Sequence, residues 1–116
     1  MVQYLRAIYG LEERELFSVL YLDTNNKVIE LSTLFSGTID SASIYPREVV
    51  KKALMLNATN VILTHNHPSG ALQPSQADKA ITERIKEALK LIDISILDHV
   101  IVSTEGTFSF AEHSLI

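Results

Sequence analysis

The sequence predicts an α/β domain with a mixed β-sheet and two main helices packed on it. Strand-like and helix-like segments alternate through the middle of the chain, and pairs of strand-like segments joined by short turns lie near both ends. Alternating segments are typical of parallel strands with crossover helices, whereas adjoining strands form antiparallel hairpins. A chain of 116 residues suffices for one hydrophobic core, so we expect a single domain over residues 1–116.

The first part of the chain is predicted to hold an N-terminal arm or short helix and then a hairpin. Residues 1–12 show the weakest pattern. Residues 15–23, ELFSVLYLD, are rich in aliphatic and aromatic side chains, which favour a strand. The Asp and Asn residues of 23–27 predict a turn, because they tolerate left-handed backbone conformations. Residues 28–39 are predicted to form the second strand, bent or bulged at Gly37.

Two helices and a buried strand are predicted for the middle of the chain. Pro46 suits the first position of a helix, where a missing N–H costs nothing, and apolar spacing predicts a helix over about 46–57. Residues 60–67, NVILTHNH, form a short apolar run between turn signals and predict a largely buried strand. Ser75 is a suitable N-cap, and apolar residues at three- and four-residue spacing predict an amphipathic helix over 75–91.

The end of the chain is predicted to add a last hairpin. ISILDHVIVS (94–103) is a strand pattern, TEG (104–106) a turn, and TFSF (107–110) a short return strand. His99 lies within the apolar part of the longer strand. A histidine in this position is either a structural residue of the core or a partner behind a metal-bound imidazole, which needs an acceptor for its second ring nitrogen.

Composition narrows the classes of function. The formal net charge of −4 offers no basic face of the kind that binds duplex DNA, so nucleic acid is not an expected partner of this domain alone. The chain has no cysteine, which excludes disulfides and thiolate ligands and fits a reducing cytoplasm. No apolar run approaches the roughly 20 residues of a membrane span, and the start lacks the pattern of a signal peptide.

The stretch ILTHNHPSG (62–70) ends a buried strand on two histidines. His65 and His67 are two residues apart, so a strand aims both imidazoles to one side. Zinc binds neutral histidine nitrogens, and Asp78 in the next helix could complete a set of three ligands with an open fourth position, as in catalytic zinc sites. Ser75 and Asp78 also fit a capping box, and the residues alone leave both interpretations open.

The segment HNHPSGALQPSQAD (65–78) resembles the metal motif of the JAMM (MPN/JAB1) metalloprotease superfamily, in which H-x-H-P is followed by S-x-x-D. The closer resemblance is to the RadC family within it, and it covers most of residues 14–116. Further matching blocks are VLYLD (19–23), GTIDSAS (37–43), YPREVVKKAL (45–54), LDHVIV (97–102) and SFAE (109–112). The resemblance implies the JAB/MPN fold, which is similar to that of cytidine deaminases.

The resemblance also implies roles for individual residues. It makes His65, His67 and Asp78 the ligands of a zinc ion. It makes Ser75 a hydroxyl donor to the oxyanion that forms when water attacks a carbonyl.

The superfamily further uses an upstream glutamate as general acid and base. Glu15 fits that position, and Glu12 and Glu13 are its rivals. An acidic turn facing solvent is the expected role of these two rivals.

The function implied is that of a zinc-dependent hydrolase cutting an amide, peptide or isopeptide bond in a peptide or protein substrate. Two alternatives stand beside it. One is a non-catalytic metal-binding or protein-interaction module, since some domains of the superfamily act as scaffolds. The other is a DNA-repair accessory, as the family's name suggests. Many RadC proteins carry a helix-hairpin-helix module before this domain, so we expect the chain to be a short form or a C-terminal domain.

Overall fold

The computed structural model describes residues 2–9, 12–37 and 44–116. Within these ranges the chain forms three helices and five strands, in the predicted order. They are α1 (Val2–Tyr9), β1 (Leu16–Leu22), β2 (Val28–Ser36), α2 (Pro46–Met55), β3 (Asn60–His67), α3 (Gln76–Lys90), β4 (Ser95–Ser103) and β5 (Gly106–Ser109). None of the helices in this described part has the length and apolar character needed to cross a membrane.

The strands form one mixed sheet in the order β2-β1-β3-β4-β5. β1 is antiparallel to both β2 and β3, β3 and β4 are parallel, and β4 and β5 form an antiparallel hairpin. The parallel pair requires a crossover, which α3 supplies. The predicted α/β class, the mixed sheet and the two main helices are therefore confirmed, and β3 lies at the centre of the sheet.

The N-terminal hairpin differs in detail from the prediction. β2 ends at Ser36, and Gly37 adopts a φ of 122°, which favours glycine, directly after the strand. The irregularities of register lie inside the pairing of β1 with β2. Gly37 therefore follows the strand and does not bend it. Residues 38–43, which include the predicted last residues of this strand and most of the block GTIDSAS, lie outside the described residues.

The two sides of the sheet bury different clusters. We call the side covered by α2 and α3 the helix face, and the side covered by α1 the arm face. Alternation along β3 sends its residues to the two faces in turn. The helix-face core includes Val49, Ala53, Val61, Leu63, Ile81, Ile85 and Leu89. The arm-face core includes Leu5, Tyr9, Leu20, Leu22, Ile62, Val100 and Val102.

Candidate metal centre

Two imidazoles meet at the end of β3. His65 is fully buried, and His67, the last residue of the strand, is partly exposed. Both side chains lie on the same side of the strand, and their Nε2 atoms are 2.9 Å apart. The predicted convergence of the two rings is thus present.

The carboxylate of Asp78 lies against both histidines. Its Oδ1 is 3.2 Å from the Nε2 of His65, and its Oδ2 is 3.3 Å from the Nε2 of His67. Asp78 is in the first turn of α3 and its side chain is almost completely buried. The loop after β3 therefore returns the chain so that an acid from α3 meets the end of the strand.

The same aspartate closes the N-terminus of α3. Its backbone N–H donates to the Ser75 hydroxyl (3.0 Å), and its Oδ2 accepts from the Ser75 backbone N–H (2.8 Å). This is the capping box that the sequence also allowed. The two interpretations of Asp78 are compatible, because the capping bonds hold its carboxylate in the orientation that faces the histidines.

Charge and burial shift the pKa values of Asp78 and His67. Burial acts to raise the pKa of Asp78, but the contacts with His65 and His67 outweigh it and hold that pKa far below its ordinary value. The hydrogen bond to Asp78 raises the pKa of the His67 imidazole above its ordinary value. The cluster thus combines an anionic carboxylate with two ring nitrogens that attract a cation.

Each imidazole is held from behind through its second nitrogen. The Nδ1 of His67 lies 2.9 Å from the carbonyl oxygen of Ala71, and the Nδ1 of His65 lies 2.7 Å from the Nε2 of His99. His99 in turn contacts the Thr82 hydroxyl, at 2.6 Å from its Nδ1. Burial, followed by the charge of His65, lowers the pKa of His99 well below its ordinary value, so this ring is neutral.

His99 therefore occupies the position behind a cluster imidazole, which was one of its two predicted roles. Thr82 was not singled out in the sequence. The available signal was its spacing from Asp78, because residues four apart lie on one face of a helix.

Glu15 approaches the histidines from the start of β1. Its carboxylate and the ring nitrogens of His65 and His67 include ligand atoms that all lie within 4.8 Å of one another, and these three residues could hold a metal ion. The Glu12 carboxylate pairs with Arg14, whose side-chain Nε is 3.1 Å away. Glu15 is thus the glutamate that the described structure groups with the histidines.

The Asn66 side chain holds the segment around Glu15. Its Oδ1 accepts from the backbone N–H of Leu16 (2.6 Å), and its Nδ2 donates to the carbonyl oxygen of Arg14 (2.7 Å). The backbone pairing of β1 with β3 reaches its last pair at Phe17 and His65. The amide of Asn66 extends that pairing by side-chain bonds, and it does so on both sides of Glu15.

A groove opens beside the cluster. It has a volume of about 380 Å³ and is lined by Glu13, Arg14, Glu15, Gly37, His67, Pro68 and Ser69. Small-molecule sites usually span about 300–1,000 Å³, so the groove is large enough for a short piece of a substrate. His67 and Pro68 also line a second cavity, of about 290 Å³.

Comparison with known proteins gives a consistent result. The model of the RadC-like JAB domain family matches residues 1–115. A UPF0758 protein of Vibrio cholerae is 54% identical over 110 residues, which are 95% of this chain and 69% of that protein. The UPF0758 protein YkfG of Escherichia coli is 53% identical over 114 residues, which are 98% of this chain and 72% of that protein.

Other relatives are longer. A UPF0758 protein of Pseudoalteromonas translucida is 59% identical over 104 residues, which are 46% of its length. The chain spans about half the length of several such relatives. What is similar to this chain is therefore one part of those proteins.

Proposed function

Since this chain belongs to the RadC-like JAB domain family, we propose that it is a zinc-dependent hydrolase of the JAMM type, which cleaves an amide, peptide or isopeptide bond. The observation that carries the proposal is the convergence of His65, His67 and Asp78. We propose a peptide or protein as the substrate, and the cytoplasm as the compartment, which suits a chain without cysteine.

The spacing of the three side chains supports zinc. Ligand atoms about 2.0–2.1 Å from a tetrahedral ion lie about 3.3 Å from one another. The Nε2 atoms of the two histidines are 2.9 Å apart, and the carboxylate oxygens of Asp78 lie at 3.2 and 3.3 Å from them. Two histidines and one carboxylate are also a ligand set of catalytic zinc enzymes, which keep a further position open.

The chemistry divides between the ion and the side chains. A zinc ion held by His65, His67 and Asp78 would lower the pKa of a bound water towards neutrality and polarise a carbonyl. The Glu15 carboxylate takes a proton from the attacking water and passes it to the leaving amine. Its place beside the open groove and within 4.8 Å of the histidine nitrogens supports this role.

The hydroxyl of Ser75 is proposed to stabilise the oxyanion. Its oxygen already accepts the backbone N–H of Asp78, and its own proton remains to be donated to a developing negative charge. Ser75 is exposed at the start of α3, where a substrate carbonyl has access. The capping bond fixes its position relative to Asp78.

Metal content tests the site. Elemental analysis of protein purified without chelators should give about one zinc per chain for the wild type. His67→Ala should lose the metal, because one of three ligands is gone. His113→Ala is the matched control, since its ring contacts the carbonyl of Ser109 outside the cluster. A wild-type protein that holds no zinc and takes none up would sink the proposal.

Activity tests the role of Glu15. Glu15→Gln should keep the zinc, and its rate of hydrolysis of a peptide and isopeptide library should fall by about 100-fold or more. Glu13→Gln, on the same groove, is the control and should retain activity. Loss of zinc in Glu15→Gln would make this residue a ligand instead of a base. A zinc-loaded wild type inert towards the whole library would favour a non-catalytic binding module.

A further inference from the structure

A chain of hydrogen bonds runs through the core behind His65. It leads from the Nδ1 of His65 to the Nε2 of His99 (2.7 Å), and from the Nδ1 of His99 to the hydroxyl of Thr82 (2.6 Å). The Thr82 hydroxyl then bonds the carbonyl oxygen of Asp78 (2.7 Å). The chain thus begins at one residue of the cluster and ends on the backbone of another.

The orientation of the His99 ring is fixed by its neighbours. The ring is fully buried. Phe110 stacks on it with a centroid distance of 4.5 Å, and Phe17 meets it edge-on at 5.8 Å. With both nitrogens bonded and both sides packed, the ring is locked in one orientation.

The last hydrogen bond of the series, from Thr82 to Asp78, decides which atom donates in each of the others. A threonine hydroxyl has one hydrogen, and the carbonyl oxygen of Asp78 can only accept, so that hydrogen lies between Thr82 and Asp78. If the hydroxyl donated to His99 instead, two oxygens would face each other at 2.7 Å without a hydrogen. The oxygen of Thr82 therefore accepts from His99, whose proton is on Nδ1.

Because each of these hydrogen bonds needs one hydrogen, the donor in the bond between His99 and His65 can be assigned as well. A neutral imidazole has one N–H, so the Nε2 of His99 accepts a hydrogen bond and the Nδ1 of His65 donates it. The Nε2 of His65, which faces Asp78 and His67, is then the nitrogen that binds either a proton, which pairs with the carboxylate, or a metal ion in its place. With the opposite direction, the Nδ1 of His65 would accept, and Nε2 would have to carry the one hydrogen of the neutral ring and could not bind a metal ion.

We propose that Thr82 and His99 are positioning residues that fix the tautomer of His65 and so keep its Nε2 available to a cation. The consequence for zinc rests on the proposed function, whereas the tautomer itself is a property of the metal-free protein. The helical turn that supplies the carboxylate of Asp78 also supplies, through its carbonyl oxygen, the end of the chain that sets the tautomer.

The tautomers can be measured directly. Long-range ¹H–¹⁵N correlation spectra of the labelled, metal-free protein at neutral pH show which ring nitrogens carry hydrogen, with assignment by His→Gln variants. We expect His65 and His99 both to be protonated at Nδ1. A wild-type His65 whose Nδ1 carries no hydrogen would overturn the proposal. This result does not depend on whether the protein binds zinc, so it separates this inference from the proposed function.

Substitutions test the link to metal binding. Thr82→Val keeps the shape and removes the hydroxyl, so His99 and His65 should both shift their hydrogen to Nε2. Zinc affinity, measured by competition with a chromophoric chelator, should fall by about 10- to 100-fold. Thr82→Ser should restore both properties. Thr64→Val is the matched control, because its buried hydroxyl lies on the opposite face of the sheet and makes no hydrogen bond of normal geometry in the described structure.

Two outcomes would contradict the role of Thr82. One is a Thr82→Val protein with wild-type tautomers, and the other is a Thr82→Ser protein that loses as much zinc affinity as Thr82→Val. The wild-type spectrum decides the direction of the chain by itself, so the inference remains testable should Thr82→Val not fold.

Discussion

The two faces of β3 differ in how completely their buried polar groups are hydrogen-bonded. On the helix face, His65 and His67 have both ring nitrogens in contact with polar partners. On the arm face, the buried hydroxyls of Thr64 and Tyr9 make no hydrogen bond of normal geometry in the described structure. Burial raises the pKa of Tyr9, and the nearby hydroxyls of Ser18 and Thr64 only partly oppose this rise. Other polar groups of that face are bonded, since the amide of Asn66 bonds the backbone on both sides of Glu15 and the Ser18 hydroxyl bonds that of Thr33.

This difference separates a functional cluster, in which the buried polar groups are paired, from a hydrophobic core that contains an occasional unpaired hydroxyl. Burying an unpaired hydroxyl costs about 1–3 kcal/mol, which a domain can absorb once or twice. A group of buried imidazoles around a carboxylate would cost far more, and it persists because strands and a helix supply matched partners. The contrast predicts large effects of substitution on the helix face and small ones, even of opposite sign, on the arm face.

The largest effect is expected for Asp78→Ala on the helix face. The change leaves the imidazoles of His65 and His67 without their anionic partner and removes one side of the capping box. The free energy of unfolding of the metal-free protein should fall by about 3–5 kcal/mol. Urea denaturation at pH 7 with a chelator present measures it.

Glu83→Ala serves as control for Asp78→Ala, because it removes an exposed acid from the same helix. Its effect should stay within about 0.5 kcal/mol. Equal losses in the two variants would contradict the view of the helix face as a matched network.

Acid should remove the stabilisation that the Asp78 carboxylate provides in the wild type. The pKa of Asp78 is lowered in the folded state, so on acidification the unfolded chain takes up this proton first. The stabilisation is complete above about pH 4, near the ordinary aspartate pKa, and is lost as the pH falls below it. The expected slope is up to about 1.4 kcal/mol per pH unit.

The comparison of the wild type with Asp78→Asn isolates this contribution from those of the other carboxyl groups. Both proteins are followed in metal-free form by urea denaturation between pH 6 and 2. The difference between their stabilities should shrink towards low pH. A difference that is constant over this range would show that Asp78 has no lowered pKa.

Asn66→Ala tests a polar side chain of the arm face that is hydrogen-bonded to the backbone. It removes two short bonds that hold Arg14 and Leu16 around Glu15, and stability should fall by about 2 kcal/mol. Hydrogen exchange at the Leu16 amide should become faster. Asn60→Ala removes an exposed bond to Asn26 at the other end of the strand and should cost less than about 1 kcal/mol. Unchanged exchange at Leu16 would mean that Asn66 does not hold this segment.

Local signals account for what the sequence predicted of the fold and the site. Helix starts followed Pro46 and Ser75, and the strand over 60–67 followed its apolar run, because each signal lies within the element it defines. The histidines and Asp78 were equally accessible, since they belong to one continuous segment. Their approach to within 3.3 Å needed only a strand, a loop and a capped helix.

Contacts between residues far apart in the sequence could not be predicted from such local signals. The bond from Asn66 to Leu16 depends on the register of β1 against β3, and a shift by one residue would send Asn66 to the other face. The contact of His99 with Thr82 requires β4 to lie beside β3 and α3 to cross both. Sequence patterns of period two or 3.6 give the faces of elements but not their registers.

Thr64→Val gives the smallest effect and the sharpest contrast, because the same substitution at Thr82 is expected to go the other way. Both threonines are buried, one on each face. The Thr64 hydroxyl lies near that of Tyr9 but makes no hydrogen bond of normal geometry in the described chain, so replacing it by a methyl group should raise the stability, by up to about 1 kcal/mol. Thr82→Val removes two hydrogen bonds and should lower it by about 1–3 kcal/mol. Thermal and urea unfolding of the two variants settle the sign, and a loss of stability in Thr64→Val would mean that the arm face, too, depends on its buried hydroxyls.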